Sequence, residues 1–498
     1  MKMHLVFLWI WMGTISLGMF QMGFANVMFS SVAEVLFDQF EEFGNTEGAI
    51  VGSRDMFNLV MITAVPAGAV LGSLSGGYLV AYGRRKAILG INVVLCLATG
   101  MTMIFNFYPI LIGRIFVGYC VGVLGVVCPM FLSETSFVKV SGPVGAISQV
   151  MITAGIMLAY LFRFLTPINS TDDDKDLERT NSWRYVFMIP GIVALVQSFL
   201  LLLVFTDDTP KYYRQVRDER RARRIESLID PDASRIDLMV GDSQSIVEEK
   251  VSLCQQFSPK YRCAFLIGCL LAIYQQLTGI NVVILYTNQI IFSSSSTDMN
   301  EDSEDERIIT SVVGLVNLLS ALFSVFLQKK FGRKFLFLVG NIGMCLSLLS
   351  LAIYTSLGNN GNVFVITFTL CFVLFFEIGV GSIFYIYISE IMTEVGISVA
   401  MTIIWALTVV ISLITQTMIK SITRPGTYFL FFGINTLFLL FITFLVKETK
   451  GLSKSELKYL YSDHPKTYEP LAASRNSRSS QKSGLTRNSN FRITYSTT

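Results

Sequence analysis

Histidine is almost missing from this 498-residue chain, which holds only His4 and His464. A histidine-based acid–base centre or zinc site has next to nothing to be built from. The eight cysteines, Cys96, Cys120, Cys128, Cys254, Cys263, Cys269, Cys345 and Cys371, fall mostly inside apolar runs and show no metal-ligand spacing. They read as small core residues, not as a disulfide framework. Charge is sparse too, at 15% of residues with a net +3, and no basic helix interleaved with aromatics occurs, which argues against a nucleic-acid partner. No nucleophile–base pair or metal-ligand set emerges, so neither an enzyme nor a bound metal or cofactor is expected.

What the chain has instead is apolar residues, 52% of the total, and a positive mean hydropathy. That is too apolar for ordinary soluble domains and points to a polytopic membrane protein. About 20 apolar residues span a bilayer. The hydropathy divides into twelve such segments near 3–29, 56–80, 87–106, 108–131, 142–165, 184–205, 262–292, 307–328, 335–356, 363–389, 397–420 and 428–446. The first starts after four residues and offers no small-residue cleavage site, so it reads as a membrane helix and not as a removed signal peptide.

The connecting loops alternate in sign. Acidic ones hold Glu34, Asp38, Glu41, Glu42 and Glu47, then Asp172, Asp173, Asp174 and Asp176, then Glu301, Asp302, Glu304 and Asp305. Basic ones hold Arg84, Arg85 and Lys86, then Lys139, the arginine-dense Lys211–Arg224, and Lys329, Lys330, Arg333 and Lys334. Positive residues stay in the cytoplasm, which predicts both termini inside. Asn169-Ser170-Thr171 fits a glycosylation acceptor on an outward loop. The domains expected are a six-helix bundle over 1–205, a cytoplasmic linker of short helices over 206–261, a second six-helix bundle over 262–446 and a largely disordered tail over 447–498. From Leu471 that tail is basic, Ser-rich and without acids, a composition that suits a solvated segment first and phosphorylation or contact with anionic lipid second.

Two six-helix halves invite a search for an internal repeat. Gly83-Arg84-Arg85 follows the second helix of the first half, and Gly332-Arg333-Lys334 follows the second helix of the second. Ser133-Glu134 and Ser389-Glu390 likewise close the fourth helix of each. Parallel six-helix repeats with a midplane substrate site between them are one known transporter architecture. Within the seventh segment, Tyr274–Tyr286 reads YQQLTGINVVILY, an apolar run interrupted by amides, a hydroxyl and a glycine. Polar side chains at that depth either join helices or line a polar path.

Several strings in order resemble the sugar porters of the major facilitator superfamily, especially the eukaryotic facilitative glucose transporters. They are FQMGF (20–24), GGYLVAYGRRK (76–86), GRIFVGYCVGVLGVVCPMFLSE (113–134), WRYVF (183–187), DDTPKYY (207–213), QQLTGIN (275–281), FGRK (331–334), FFEIGVGSIFYIYISE (375–390) and ETKGLS (448–453). The likeness covers roughly 15–450. It implies an all-α membrane fold of twelve helices in two pseudo-symmetric bundles that transports a hexose. By resemblance the sugar ligands are Gln149, Gln275, Gln276, Asn281 and Asn317, with Ile152 and Ile156 as apolar wall, Glu377 beside the sugar, and Tyr385 and Trp405 as aromatic faces. The chemistry agrees, because amides both donate to and accept from sugar hydroxyls. An inner gate is implied in which Arg84, Arg85 and Arg114 meet Glu134, and Arg333 meets Glu390.

There are departures from the family pattern. Ser382, Phe384 and Tyr385 stand where prolines and a tryptophan are usual, so a bend in the tenth helix is not dictated by sequence. Lys329 stands where an acid is usual and Ser141 where an arginine is, which predicts a weaker second half of the gate. Gly23-Phe24-Ala25 replaces a Gly-Tyr-Asp string of proton-coupled porters, and alanine cannot carry a proton. Facilitated diffusion of glucose by a monomeric plasma-membrane carrier, with sugar and lipid as its partners, is the resulting expectation. The alternatives are a proton-coupled sugar or polyol carrier of the same fold and, from another class, a non-transporting sugar sensor.

Overall fold

The computed structural model describes residues 2–42, 54–135, 141–165, 181–229, 251–282, 301–358, 362–452, 456–457 and 460–461. Asn169, Lys139, the acidic loop at 172–176 and the basic tail lie outside them. In chain order the helices are α1 (Lys2–Val27), α2 (Ala33–Glu42), α3 (Arg54–Leu79), α4 (Arg84–Thr102), α5 (Phe107–Thr135), α6 (Ser141–Phe162), α7 (Ser182–Leu203), α8 (Pro210–Gln215), α9 (Glu219–Ile229), α10 (Arg262–Leu277), α11 (Glu301–Lys330), α12 (Arg333–Ser356), α13 (Asn362–Phe376), α14 (Ser382–Ile391), α15 (Glu394–Ser421) and α16 (Arg424–Leu445). Twelve helical spans among the described residues are long and apolar enough to cross a membrane. They follow the twelve expected segments to within a few residues, except where the seventh breaks early.

Packing within the first half rests on small residues. Gly68 and Gly72 of α3 face Gly118 and Gly122 of α5, and a Cβ on any of the four would collide with a carbonyl of the opposite backbone. Where lipid removes the usual hydrophobic drive between helices, such close backbone approach supplies the van der Waals contact that joins them. Gly23 on α1 and Gly155 on α6 join those two helices in the same way. The contacts between halves are of another kind. Ser73 of α3 and Thr402 of α15 share a hydroxyl hydrogen bond of 3.1 Å, and Gly314 of α11 receives the Tyr160 ring of α6.

The repeat runs deeper than its loops. Eight residues after Arg84 lies Asn92, and eight after Arg333 lies Asn341, both fully buried. The Asn92 amide donates to Gln197 and Ser198 of α7, each at 3.1 Å. The Asn341 amide donates to the Tyr274 hydroxyl of α10. The N-termini of α4 and α12 are also capped alike. Asp208 accepts from the Arg85 N–H at 3.1 Å, and Glu448 accepts from the N–H groups of Arg333 and Lys334 at 2.8 and 3.1 Å. A carboxylate at a helix N-terminus satisfies donors with no intrahelical partner and suits the helix dipole. Gly83, at φ +114°, makes room for this cap, since a Cβ there would lie 2.9 Å from Asp208 Oδ2.

Candidate functional site

The seventh span is discontinuous. Its helix α10 ends at Leu277, Gly279 takes φ +86°, and helix resumes at Ile280. A break at membrane depth frees backbone groups and is tolerated where protein or a water-filled cavity receives them. The Thr278 carbonyl is received by Asn435 Nδ2 of α16 at 3.1 Å. The break therefore falls inside QQLTGIN, with Gln275 and Gln276 before it and Asn281 after it.

The tenth span departs from α-helical geometry as well. Glu377–Gly381 forms a π-helical turn between α13 and α14, with no proline to impose it. One reason is close packing: a Cβ on Gly340 of α12 would lie 2.5 Å from the Gly379 Cα, so the turn is fitted against α12. Single π turns inside α-helices often mark functional positions.

The two irregular spans meet a third element. Gln149 of α6 donates its amide to Glu377 Oε1 at 2.9 Å, a buried bond that joins the halves. Tyr385 lies against Gln275 and close to Glu377. Gln149, Gln275, Glu377 and Tyr385 are thus brought into one chain of contacts. Within it and on the helices of the second half, buried polar atoms remain without a partner: Gln275 Oε1, Gln276 Oε1, Asn317 Oδ1, Glu377 Oε2, Ser382 Oγ and Trp405 Nε1. An unpaired buried polar group costs about 1–3 kcal/mol, a cost that a polar ligand reaching these atoms would relieve. Asn317 and Trp405 stand on the neighbouring α11 and α15, outside that chain of direct contacts. Asn281 is exposed, Ile152 is buried with its carbonyl against Gly23, and Ile156 is half-buried.

The end of the bundle that carries the basic loops is tied together by charge. Arg84, wholly buried, reaches Glu134 of its own half at 2.8 Å and Glu394 of the other half. Lys211 approaches the same two acids, at 3.1 Å from Glu394 and 3.9 Å from Glu134. Thr209 donates its hydroxyl to Glu134 Oε2 at 2.6 Å. In the second half Arg333 meets Glu390 at 2.8 Å. Nearby, burial pushes the Asp208 carboxyl above the usual carboxylate range, against the N–H groups of Thr209 and Arg85 and the charge of Arg84, which pull it down.

Two residues expected in this gate lie elsewhere. Arg85 donates to the carbonyls of Leu201 and Phe205 and closes the C-terminus of α7. Arg114 is 20 residues before Glu134 on the same helix, roughly 30 Å at the α-helical rise. There it donates to the Met61 carbonyl at 2.9 Å, with its guanidinium 4.7 Å from the centre of the Phe29 ring. Sequence reasoning missed Glu394, Lys211 and Thr209. The acid at the start of α15 and the lysine of DDTPKYY were visible signals, but nothing in their spacing says that they meet.

A family profile described as "Sugar (and other) transporter" matches residues 11–461. The chain is similar to Hexose transporter 1 of Plasmodium falciparum (isolate 3D7), 27% identical over 472 residues that cover 87% of this chain and 92% of that protein. It is similar to Facilitated trehalose transporter Tret1 of Bombyx mori, 29% identical over 414 residues, 79% of this chain and 77% of that protein. Among solved structures it is similar to a double-tryptophan variant of XylE, with a TM-score of 0.80 and 21% identity, covering 92% of this chain and 99% of that one.

Proposed function

The chain belongs to the Sugar (and other) transporter family, and from that premise we propose facilitated diffusion of a hexose, glucose foremost, across the plasma membrane. Its architecture is the major facilitator fold, an integral multi-pass arrangement of transporters and not of enzymes, and its cargo is a sugar. The observation that carries the finer reading is the chain of Gln149, Glu377, Tyr385 and Gln275 at the junction of the halves, in which Gln275 Oε1 and Glu377 Oε2 keep no partner. Sugar hydroxyls donate and accept, so they can satisfy amides, a carboxylate and a phenol at once. Gln276-Leu277-Thr278 stands where the resemblance places a Gln-Leu-Ser string associated with glucose over fructose, and threonine keeps the hydroxyl.

The basic end faces the cytoplasm by the positive-inside rule, so both termini are cytoplasmic. Arg84 and Lys211 against Glu394 hold that end closed. Alternating access then consists of breaking this contact while the halves rock about the midplane, each monomer working by itself in lipid. Ala25 removes the usual proton carrier from α1, which supports uniport. A proton-coupled reading rests on one feature, the buried Glu377.

The test is uptake of labelled glucose by the purified protein in liposomes, competed with a panel of hexoses, pentoses and polyols. Uptake should run down the glucose gradient without a proton current, and Gln276→Leu should abolish it with protein yield unchanged. A proton current accompanying uptake would replace uniport with symport. Unaltered uptake by Gln276→Leu would remove the site.

A further inference from the structure

We propose that Ser382 and Glu377 together form a hydroxyl-recognition subsite that sets which position of the sugar ring this carrier reads. The inference rests on the sugar-site reading above and adds a residue to it. Ser382 stands where the resembled family usually carries proline, so its hydroxyl is a feature of this chain.

The geometry starts from the string EIGVGS (377–382). In a regular α-helix, residues five apart point about 140° away from each other. Here Glu377–Gly381 forms a π turn, whose i→i+5 closure brings the fifth residue back over the first. Ser382 is that residue, and its side chain faces the Glu377 carboxyl. Gly381 allows the approach, because a Cβ there would lie 2.9 Å from Glu377 Oε2 and 3.1 Å from its Cδ. The carboxyl is folded back along the turn.

The two groups are half satisfied. Glu377 Oε1 takes the Gln149 amide at 2.9 Å, while Glu377 Oε2 and Ser382 Oγ are buried without a completed hydrogen bond. Helical serines commonly turn back on a preceding carbonyl, and several here do, including Ser347 on Gly343 and Ser389 on Ile386. Ser382 does not, although it is wholly buried. A carboxyl oxygen beside a hydroxyl matches one sugar hydroxyl, which donates to one of the two groups and accepts from the other. A site that pairs with a substrate hydroxyl rejects the analogue lacking it, since its own polar atoms are then left unpaired.

The test measures inhibition of glucose uptake by each monodeoxyglucose, using full-length protein in liposomes, for the wild type and for Ser382→Ala, Ser382→Cys and Ser382→Thr. One deoxy sugar should bind the wild type markedly worse than glucose. Ser382→Ala and Ser382→Cys should weaken glucose by ~5–10-fold, the scale of one hydrogen bond, and leave that deoxy sugar unchanged, while Ser382→Thr retains the discrimination. Equal weakening of every sugar, or none, would overturn the proposal, and the cysteine variant keeps the test open if alanine disturbs folding. Loss of hexose binding by Gln276→Leu together with an intact deoxy pattern in Ser382→Ala would sink this subsite alone. Unaltered uptake in Gln276→Leu would sink the underlying site.

Discussion

At the basic end of the first half, Arg84 is gripped by Glu134 from its own half and by Glu394 from the other, whereas Arg333 at the matching place in the second half pairs with Glu390 of that same half. The two arginines share a motif, a capped helix start and an asparagine eight residues on. Among the described contacts, one arginine bridges the halves and its counterpart joins α12 to α14 within one half. A similar division runs through the midplane. Gln149 is the contribution of the first half to the contact chain, while Gln275, Glu377 and Tyr385 come from the second. The repeat supplies two copies of one scaffold, with the ion pairs that cross between halves centred on the first and most of the proposed sugar contacts on the second.

The strongest way to break this comparison is to delete each arginine in turn. Removing one partner of a buried ion pair leaves the other charge uncompensated, at a cost of about 3–5 kcal/mol. Arg84→Ala should cut glucose uptake by ~10-fold or more and also expose the basic end to a thiol reagent at a cysteine placed at Ser398. Arg333→Ala should lower the melting temperature with much less of that exposure. Equal labelling in both variants would erase the distinction between bridge and tie.

A milder change sharpens it. Glu394→Gln keeps the shape of the contact and removes its charge. A partly exposed pair worth about 1 kcal/mol shifts a two-state population roughly fivefold. Labelling at the same cysteine should rise by that factor with the melting temperature nearly unchanged, and an unaltered rate would remove Glu394 from the latch.

The smallest effect concerns the caps. Since Asp208 has a raised pKa, the folded protein holds its proton more tightly than the unfolded chain does. Acidification therefore relieves the burial of its charge. Wild-type stability should rise relative to Asp208→Asn as pH falls through the acid range, measured by thermal melts in detergent. A constant difference would show that the cap carries no such burden.

Much of this was legible in the sequence for physical reasons. Helix number and order follow from runs of apolar residues, and the repeat from matched glycine, arginine and acid positions. Gln149, Gln275, Glu377 and Tyr385, the residues brought into one chain, are all among those the family resemblance implies. Other features leave no such trace. The π turn at Glu377–Gly381 packs closely on Gly340 and contains no proline. Hydropathy runs on through 292 and hides the break at Gly279, although the glycine was in plain view. Arg114 and Glu134 share one motif, and the helical rise separates them. Glu394 meets Arg84 across 310 positions of sequence, a pairing that no local spacing encodes.

The backbone seam between α3 and α5, where four glycines each leave no room for a methyl group, also bears on inheritance. Changes along that seam should be lost together with the folded protein, so lineages of this carrier have little to vary there. Changes at Ser73 and Thr402, whose hydroxyls meet across the halves, should leave the glycine seam of the first half intact.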